Sequence, residues 1–258
     1  MRPLNIAHRG GAQLMPENTL AAFADAMERG CDGAELDVQL TRDGVVIVHH
    51  DFRLKPGLAR KDGVWLTEPG PRIKDLSLEE LQHYDVGTAQ PSGDYARTHP
   101  LLKPTEAKIP TLDEVVQLTT GRRFLLFVEL KCDTSDDSAD PVALAEAVHG
   151  VTGNHAIYVG FEWRALVPLV VRGAPCWFTT DRLRGDARPV IDLIAQSGGR
   201  GWFPNFADAK ERNVLHARKH GLKVGAWTVN DPRDMRHLMK LDAICTDRPD
   251  LLMNLPSP

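Results

Sequence analysis

Two histidines and two carboxylates stand at the ends of short apolar segments early in the sequence. His8 follows the run LNIA, His50 closes the run VVIVHH, and Glu35 and Asp37 lie in the segment GAELDV. An imidazole exchanges protons near neutral pH, and two carboxylates this close repel each other unless something neutralises them. Taken singly, each of these residues is more often structural. Taken together, they predict acid/base chemistry beside a compensating positive charge.

The spacing of these residues indicates which of them share a face. In a strand, side chains two positions apart point the same way, so Glu35 and Asp37 are predicted to lie side by side. In the run VVIVHH, His50 has the same position in the strand alternation as Val46 and Val48, and His49 has the opposite one. This favours His50 as the functional histidine. Glu129 and Lys131 repeat the two-residue spacing after a later apolar run.

The segment after His8 predicts a tight turn and then a helix. Gly10 and Gly11 follow Arg9, and glycine allows a backbone to approach a ligand closely. In the motif PENT that comes next, Asn18 is predicted as the helix N-cap. Glu17 has two interpretations, a helix start or a carboxylate that braces Arg9 or a ligand.

Composition excludes several classes of protein. The chain has 258 residues, a formal net charge of -4 and 26% charged residues, so it lacks the basic surface of a nucleic-acid binder. The four cysteines include no C-x-x-C pair, which fits a reducing cytosol. No apolar run approaches the ~20 residues of a membrane span, and no signal peptide is evident. We therefore expect an unexported, cytoplasmic protein without a membrane span.

The order of elements predicts an α/β fold of the (β/α)8 TIM-barrel type. Apolar runs alternate with helical patterns, and their length and number match a barrel of about 250 residues, with a doubly wound open sheet as the alternative. We expect one domain over residues 1–258, with an irregular insertion at about 52–108 covering the mouth. Strand candidates after the insertion are Phe124 to Lys131, His155 to Gly160, Cys176 to Thr179, Gly201 to Pro204, Lys223 to Thr228 and Ala243 to Thr246.

Seven short motifs, spread over nearly the whole chain, resemble the glycerophosphodiester phosphodiesterase family. In chain order they are AHRG from Ala7, PENT from Pro16, ELDV from Glu35, HD from His50, VELK from Val128, WTVN from Trp227 and TDRP from Thr246. Each motif is weak alone, but all seven in this order are specific. The segment after His50 and Asp51 departs from the family pattern, which leaves the leaving group open.

The resemblance implies hydrolysis of glycerophosphodiesters to sn-glycerol 3-phosphate and an alcohol, with one divalent cation. Carried over motif by motif, it implies the following roles: His8 and His50 as the acid/base pair, Glu35, Asp37 and Glu129 as metal ligands, Arg9 and Lys131 on phosphate oxygens, and Trp227 near the glycerol. Which histidine is the acid, and whether water or the glycerol hydroxyl attacks, remain open.

Charge agrees with these implied roles. Three carboxylates would repel a phosphodiester, whereas a divalent cation together with Arg9 and Lys131 gives a site with one net positive charge. Oxygen ligands select a hard ion, which predicts Mg2+ or Ca2+, with Mn2+ as a third candidate. Asn230 is predicted as a turn or cap residue and Asp247 as a helix N-cap.

Two other functions compete with this one. A lysophospholipase D-like phosphodiesterase on the same barrel would need an exposed apolar rim, and the insertion has few large apolar residues. A non-catalytic barrel that binds phosphorylated ligands would have no need for both histidines and all three carboxylates. The expected partner is a small-molecule glycerophosphodiester, and the sequence does not specify an oligomeric state.

Overall fold

The computed structural model describes residues 2–136 and 138–256, and a closed barrel lies at its centre. The first elements are β1 (Leu4–His8), α1 (Leu20–Glu28), β2 (Gly33–Leu40) and β3 (Val46–Val48). β3 runs antiparallel to β2, through a turn at Asp43 and Gly44. The predicted domain span of 1–258 includes Met1, Asp137, Ser257 and Pro258, which lie outside the described residues.

The insertion is a small structured unit. Its elements are β4 (Arg60–Lys61), β5 (Val64–Trp65), α2 (Leu78–Leu81), β6 (Tyr84–Asp85) and α3 (Asp94–Thr98), and its strands form a separate antiparallel sheet in the order β5-β4-β6. A separate small sheet and two short helices therefore lie where the insertion is predicted. Its predicted lack of regular structure is wrong, because strands of two residues are too short to show alternation in the sequence.

The remaining chain alternates helices and strands, as predicted. Its elements are α4 (Leu112–Thr119), β7 (Leu125–Leu130), α5 (Pro141–Thr152), β8 (Ala156–Gly160), α6 (Trp163–Val171), β9 (Cys176–Thr180), α7 (Arg188–Gln196), β10 (Gly201–Pro204), α8 (Glu211–Lys219), β11 (Lys223–Ala226), α9 (Pro232–His237), β12 (Ala243–Thr246) and α10 (Pro249–Met253). Among the described residues, no helix is both long and apolar enough to cross a membrane.

Eight parallel strands close into a TIM-type barrel. Their order is β1-β12-β11-β10-β9-β8-β7-β2, and β2 pairs back with β1. Closure excludes the doubly wound open sheet. The register then places His8 beside Glu35, and Asp37 beside Glu129. Residues that the sequence spreads over more than a hundred positions therefore become neighbours at the carboxyl end of the barrel, where such barrels hold their active sites.

Alternation along β2 separates the apolar core from the site. Ala34, Leu36 and Val38 are fully buried in the cluster between the sheet and the helices. Glu35 and Asp37 have the opposite phase and point into the barrel. Deeper in the barrel, the interior is filled by Ile6, Phe127, Val159, Trp177, Phe203, Ala243 and Cys245. The interior is therefore packed, and a ligand is restricted to the carboxyl end.

The glycine pair after Arg9 serves packing. Gly10 has φ of +84°, and a Cβ there would meet Ala22 Cβ of α1 at 2.6 Å. A Cβ on Gly11 would meet Pro249 Cγ of α10 at 3.4 Å. The close approach that these glycines allow in the structure is to two helices, and the expected approach to a ligand stays a prediction.

The N-cap of α1 also differs from the prediction. Thr19, and not Asn18, accepts the capping hydrogen bond, from Ala22 N–H. Asn18 adopts a positive φ of 57°. Its side-chain amide instead donates to Asp37 Oδ2 at 2.8 Å. The sequence pattern located the helix start within one residue and missed the contact of Asn18 with the site.

Candidate active site

Three carboxylates converge at the carboxyl end of the barrel. Glu35 and Asp37 come from β2 and Glu129 comes from β7, and the pairing of these strands sets Asp37 opposite Glu129. One oxygen of each carboxylate lies within 4.8 Å of the others. Glu35 and Asp37 are buried, with 2% and 1% exposure. Like charges at this distance, shielded from water, need a compensating cation.

Glu35 is the carboxylate that most needs a further partner. Its Oε2 accepts a hydrogen bond from the Arg9 backbone at 3.2 Å. Its Oε1 is buried and has no hydrogen-bond partner in the described part of the chain. Burial, with the charges of Asp37 and Glu129, raises the pKa of Glu35 well above its usual range. A buried carboxylate oxygen without a donor, beside two other carboxylates, fits a hard divalent cation.

Asp37 is held ionised by its surroundings. It accepts the Asn18 amide, and its oxygens lie 3.3 Å from Arg9 Nε and 3.7 Å from Lys131 Nζ. Burial alone would raise the pKa of Asp37, but the charges of Arg9, His50 and Lys131 hold it below its usual range. His50 therefore belongs to the same electrostatic cluster.

The two positively charged side chains of the site are each held in place by a carboxylate. Lys131 Nζ donates to Glu129 Oε1 at 2.9 Å, and Arg9 Nη1 donates to Glu17 Oε1 at 3.1 Å. The contact with Arg9 matches one of the two sequence interpretations of Glu17. Burial alone would lower the pKa of Arg9, but the neighbouring carboxylates raise it. Both side chains are therefore charged and oriented before any ligand binds.

The insertion contacts this site through Tyr95 of α3. Its hydroxyl donates to Glu17 Oε2 at 2.6 Å, so Tyr95 and Arg9 bind the two oxygens of one carboxylate. Burial and the charge of Glu17 raise the pKa of Tyr95, which keeps it a donor. The Tyr95 ring also lies 5.2 Å from Lys55 Nζ. The sequence pattern gave no reason to connect Tyr95 with the site.

His8 is held by the end of the last barrel strand. Its Nδ1 lies 2.6 Å from Asp247 Oδ1, and its Nε2 lies 3.8 Å from Glu35 Oε2. Asn230 donates to Asp247 Oδ2 at 2.6 Å, and its Oδ1 accepts the Asp247 N–H at 2.9 Å. The predicted role of Asp247 as a helix N-cap is wrong, since Arg248 occupies the N-cap of α10. The predicted turn or cap role of Asn230 is also wrong, since residue 230 lies outside any turn and Asp231 is the N-cap of α9; Asn230 instead orients Asp247.

His50 is held by its neighbour in the sequence. Its Nδ1 lies 2.7 Å from Asp51 Oδ1, and Lys55 Nζ lies 3.4 Å from the other Asp51 oxygen. Gln39 of β2 anchors the segment by donating to the carbonyls of His49 and Asp51 at 2.7 Å and 2.9 Å. His49 is buried at 7% exposure. The His50 side chain is more exposed, at 30%, so it is the more accessible histidine of the two.

Aromatic side chains form one wall of the mouth. Trp227 is half-buried, and its Nε1 donates to the carbonyl of Phe203 at 3.1 Å. Phe161 packs edge-on against Trp227 at 5.2 Å between ring centroids. Phe161 also lines a hollow of about 240 Å³ that reaches Glu129 and Lys131. This hollow offers space next to the charged residues.

The structure brings the predicted site residues to one end of the barrel, and it adds six that sequence reasoning did not assign to the site. The additional residues are Asn18, Gln39, Asp51, Tyr95, Asn230 and Asp247. Asp247 follows the end of β12, so the rule that identified Glu129 and Lys131, a polar residue at the carboxyl end of a strand, could have found it. Gln39 continues the alternation of Glu35 and Asp37.

Fold and site together define an enzyme built on a (β/α)8 barrel. Residues 8 to 251 match the model of the glycerophosphoryl diester phosphodiesterase family. The chain is 31% identical to the glycerophosphodiester phosphodiesterase of Caldanaerobacter subterraneus subsp. tengcongensis, over 99% of this chain and 98% of that protein. The chain therefore belongs to the glycerophosphoryl diester phosphodiesterase family, and it is a phosphoric diester hydrolase.

Solved structures agree with this assignment. A candidate glycerophosphoryl diester phosphodiesterase from Silicibacter pomeroyi DSS-3 is 29% identical, with a TM-score of 0.88 over 96% of this chain and 92% of that one. A phosphodiesterase from Oleispira antarctica shares the fold, with a TM-score of 0.77 at 24% identity over 98% of this chain and 96% of that one. The Oleispira protein was solved in complex with its product, sn-glycerol-3-phosphate.

Proposed function

We propose that this chain hydrolyses glycerophosphodiesters to sn-glycerol 3-phosphate and an alcohol, with His8 and His50 as the acid/base pair. The observation that carries the proposal is the group of three carboxylates within 4.8 Å, with His8 Nε2 at 3.8 Å from one of them. The product bound to the Oleispira antarctica relative supports the substrate class. The reaction class follows from the family.

Glu35, Asp37 and Glu129 would hold one divalent cation, Mg2+ or Ca2+ in the first place and Mn2+ as a third candidate. Glu35 Oε1, which has no hydrogen-bond partner among the described residues, and the all-oxygen donor set support a hard ion. When bound, this cation stabilises negative charge on the phosphoryl oxygens. With it, Arg9 and Lys131 give the site one net positive charge, which the phosphodiester neutralises.

Each histidine is arranged for proton exchange at Nε2. A carboxylate binds Nδ1 of both, at 2.6 Å for His8 and 2.7 Å for His50, which favours the tautomer with hydrogen on Nδ1. One histidine, in this neutral form, then accepts at Nε2 the proton of the attacking hydroxyl, and the other, as an imidazolium with hydrogen on both nitrogens, donates its Nε2 proton to the leaving alkoxide. Arg9 and Lys131 bind the phosphoryl oxygens, and Trp227 packs against the glycerol.

The insertion supports a small polar substrate over a lipid. Its apolar residues pack into a buried cluster that includes Leu54, Ile73 and Leu81. The large apolar side chains it exposes are Val64 and Leu101. A lysophospholipase D-like enzyme would need a larger exposed apolar rim. We further propose that the barrel and this insertion act as one domain, with the insertion covering the mouth.

The proposal is tested with glycerophosphocholine as substrate. Purified protein should release glycerol 3-phosphate, lose this activity in excess chelator and regain it when Mg2+, Ca2+ or Mn2+ is added back. Glu129→Gln should abolish the metal-dependent activity, because it removes one of three metal ligands. Asp181→Asn is the matched control, since this exposed carboxylate follows β9 at the same rim and accepts a hydrogen bond from its neighbour Arg182. Turnover that ignores metal removal, or no release of glycerol 3-phosphate, would contradict the proposal.

We also propose that the protein works in a reducing compartment, the cytoplasm. Its four cysteines, all within the described residues, are free. Cys31, Cys176 and Cys245 are buried, and burial raises the pKa of Cys31 and of Cys176 to about 12, which keeps them as unreactive thiols. Protein recovered from cells should therefore react with four equivalents of a thiol reagent after denaturation without reductant.

A further inference from the structure

A second group of metal-binding side chains lies on the outer helices of the barrel. His216 in α8 and His220 at its C-terminal end are one turn apart, so both project from the same face. Asp192 of the neighbouring helix α7 faces them. The side chains of His216, His220 and Asp192 are 25%, 40% and 39% exposed, respectively. None of them is at a strand end, so this group is separate from the barrel mouth.

The ligand atoms of these three residues are already close together. Asp192 Oδ1 lies 2.6 Å from His216 Nε2 and 3.0 Å from His220 Nε2, and all three atoms lie within 4.8 Å of one another. A tetrahedral zinc ion with bonds of about 2.0–2.1 Å separates its ligand atoms by roughly 3.3 Å. Small rotations of these half-exposed side chains would therefore open the group to that size without moving either helix.

The ion pair that the three residues form without a metal leaves one histidine incompletely bonded. His216 Nε2 forms a hydrogen bond with Asp192 Oδ1. His220 Nε2 lies at ion-pair distance from the same oxygen but forms no hydrogen bond with it in the described part of the chain. Two imidazole nitrogens thus compete for one oxygen. A cation between them would bind both nitrogens and the carboxylate at once.

We propose that Asp192, His216 and His220 bind a borderline-soft divalent metal ion, with Zn2+ as the reference ion and water in the fourth position. Two imidazoles and one carboxylate suit zinc, and equally Ni2+ or Cu2+, whereas the three carboxylates at the mouth suit a hard ion. The bound ion would join α7 to α8 and stabilise the barrel wall. This proposal does not depend on the proposed activity.

The direct test is a Zn2+ titration of metal-free protein by calorimetry. A Glu129→Gln background removes one of the three carboxylates at the mouth and should weaken zinc binding there. Zinc that still binds to the His216→Gln/His220→Gln double variant in this background belongs to the mouth. One equivalent of zinc should bind. His216→Gln or His220→Gln should each lower the zinc affinity by more than ~100-fold, because loss of a group that only hydrogen-bonds to a metal ligand already lowers metal affinity by 10–100-fold. His237→Gln is the matched control: it is an exposed helical histidine whose Nδ1 contacts the Arg233 carbonyl, and it should bind like the parent.

Thermal unfolding gives an independent readout. Zinc at a hundredfold excess over its Kd should raise the Tm by roughly 5 °C in the parent and the control, and should leave the His216→Gln/His220→Gln double variant unchanged. Since both side chains are half-exposed, the variants should fold normally without zinc. Absence of zinc binding by the parent, or equal binding by parent and double variant, would overturn the proposal.

Discussion

The two histidines of the site are held in the same way by partners of different origin. His8 and His50 each have Nδ1 within 2.7 Å of a carboxylate oxygen. Asp51 is the next residue after His50, whereas Asp247 lies 239 positions after His8 and reaches it only because β12 pairs with β1. The same local chemistry thus comes from a dipeptide in one case and from barrel closure in the other.

Their surroundings also differ in burial. The side chains of His8 and Asp247 are each 16% exposed, and Asp247 is fixed from its other side by Asn230. The side chains of His50 and Asp51 are 30% and 33% exposed, and Lys55 of the insertion shares Asp51. A hydrogen bond in the less solvated pair is stronger, and water replaces it less easily. The pair of His8 and Asp247 should therefore be more rigid than the pair of His50 and Asp51.

The largest expected effect is loss of either histidine. His8→Ala and His50→Ala should each lower kcat by ~1000-fold, within the range of 10²–10⁴ typical of general acid/base groups. The measurement is the rate of glycerol 3-phosphate release at saturating metal and substrate. If each variant kept activity within a few-fold of the parent, the two-histidine mechanism would be wrong and a phospho-ligand-binding barrel would be favoured.

The second prediction compares the two histidine–carboxylate pairs. Asp247→Asn should lower kcat by ~100-fold and Asp51→Asn by ~10-fold, the upper and lower ends of the range for carboxylates that orient a functional histidine. The larger effect belongs to the less exposed pair, because water can partly replace Asp51 and cannot reach Asp247 as easily. Each variant serves as the control for the other. Equal losses of kcat would show that burial does not distinguish the two histidine–carboxylate pairs.

The smallest effect concerns the contact between insertion and barrel. Tyr95→Phe removes the hydrogen bond to Glu17, which fixes Arg9, so KM should rise about tenfold with kcat nearly unchanged, as expected for a hydrogen bond to a charged group. Tyr84→Phe is the control within the same insertion, since its hydroxyl makes no hydrogen bond among the described residues. A loss confined to kcat, or equal effects of the two substitutions, would contradict a role in positioning Arg9.

Much of the fold could be predicted because barrel strands and helices leave local patterns. The strands predicted at Gly201–Pro204 and Ala243–Thr246 have the observed bounds. The insertion could not be predicted in this way. Its strands of two residues carry no period, and its apolar cluster is completed by Ile47 and Ile109 from outside its bounds.

The site was predictable wherever its residues lie on one strand. Glu35 and Asp37 were paired from their spacing alone, and the same reasoning paired Glu129 with Lys131. The contact of Asn18 with Asp37 depends on a positive φ at Asn18, which helix-capping preferences do not predict. Tyr95 reaches Glu17 across 78 positions, by the packing of the insertion.

The sequence by itself determined the chemistry near His8 and His50, the alternation that turns Glu35 and Asp37 to one side, and the family. These are properties of residue type and of a two-residue period, and both are local. Only the tertiary structure decided that Asp247 binds His8, that Tyr95 fixes Glu17, and that Asp192 meets His216 and His220. Those pairs depend on the closure of the sheet and on the packing of helices and insertion, and no spacing within a single segment encodes them.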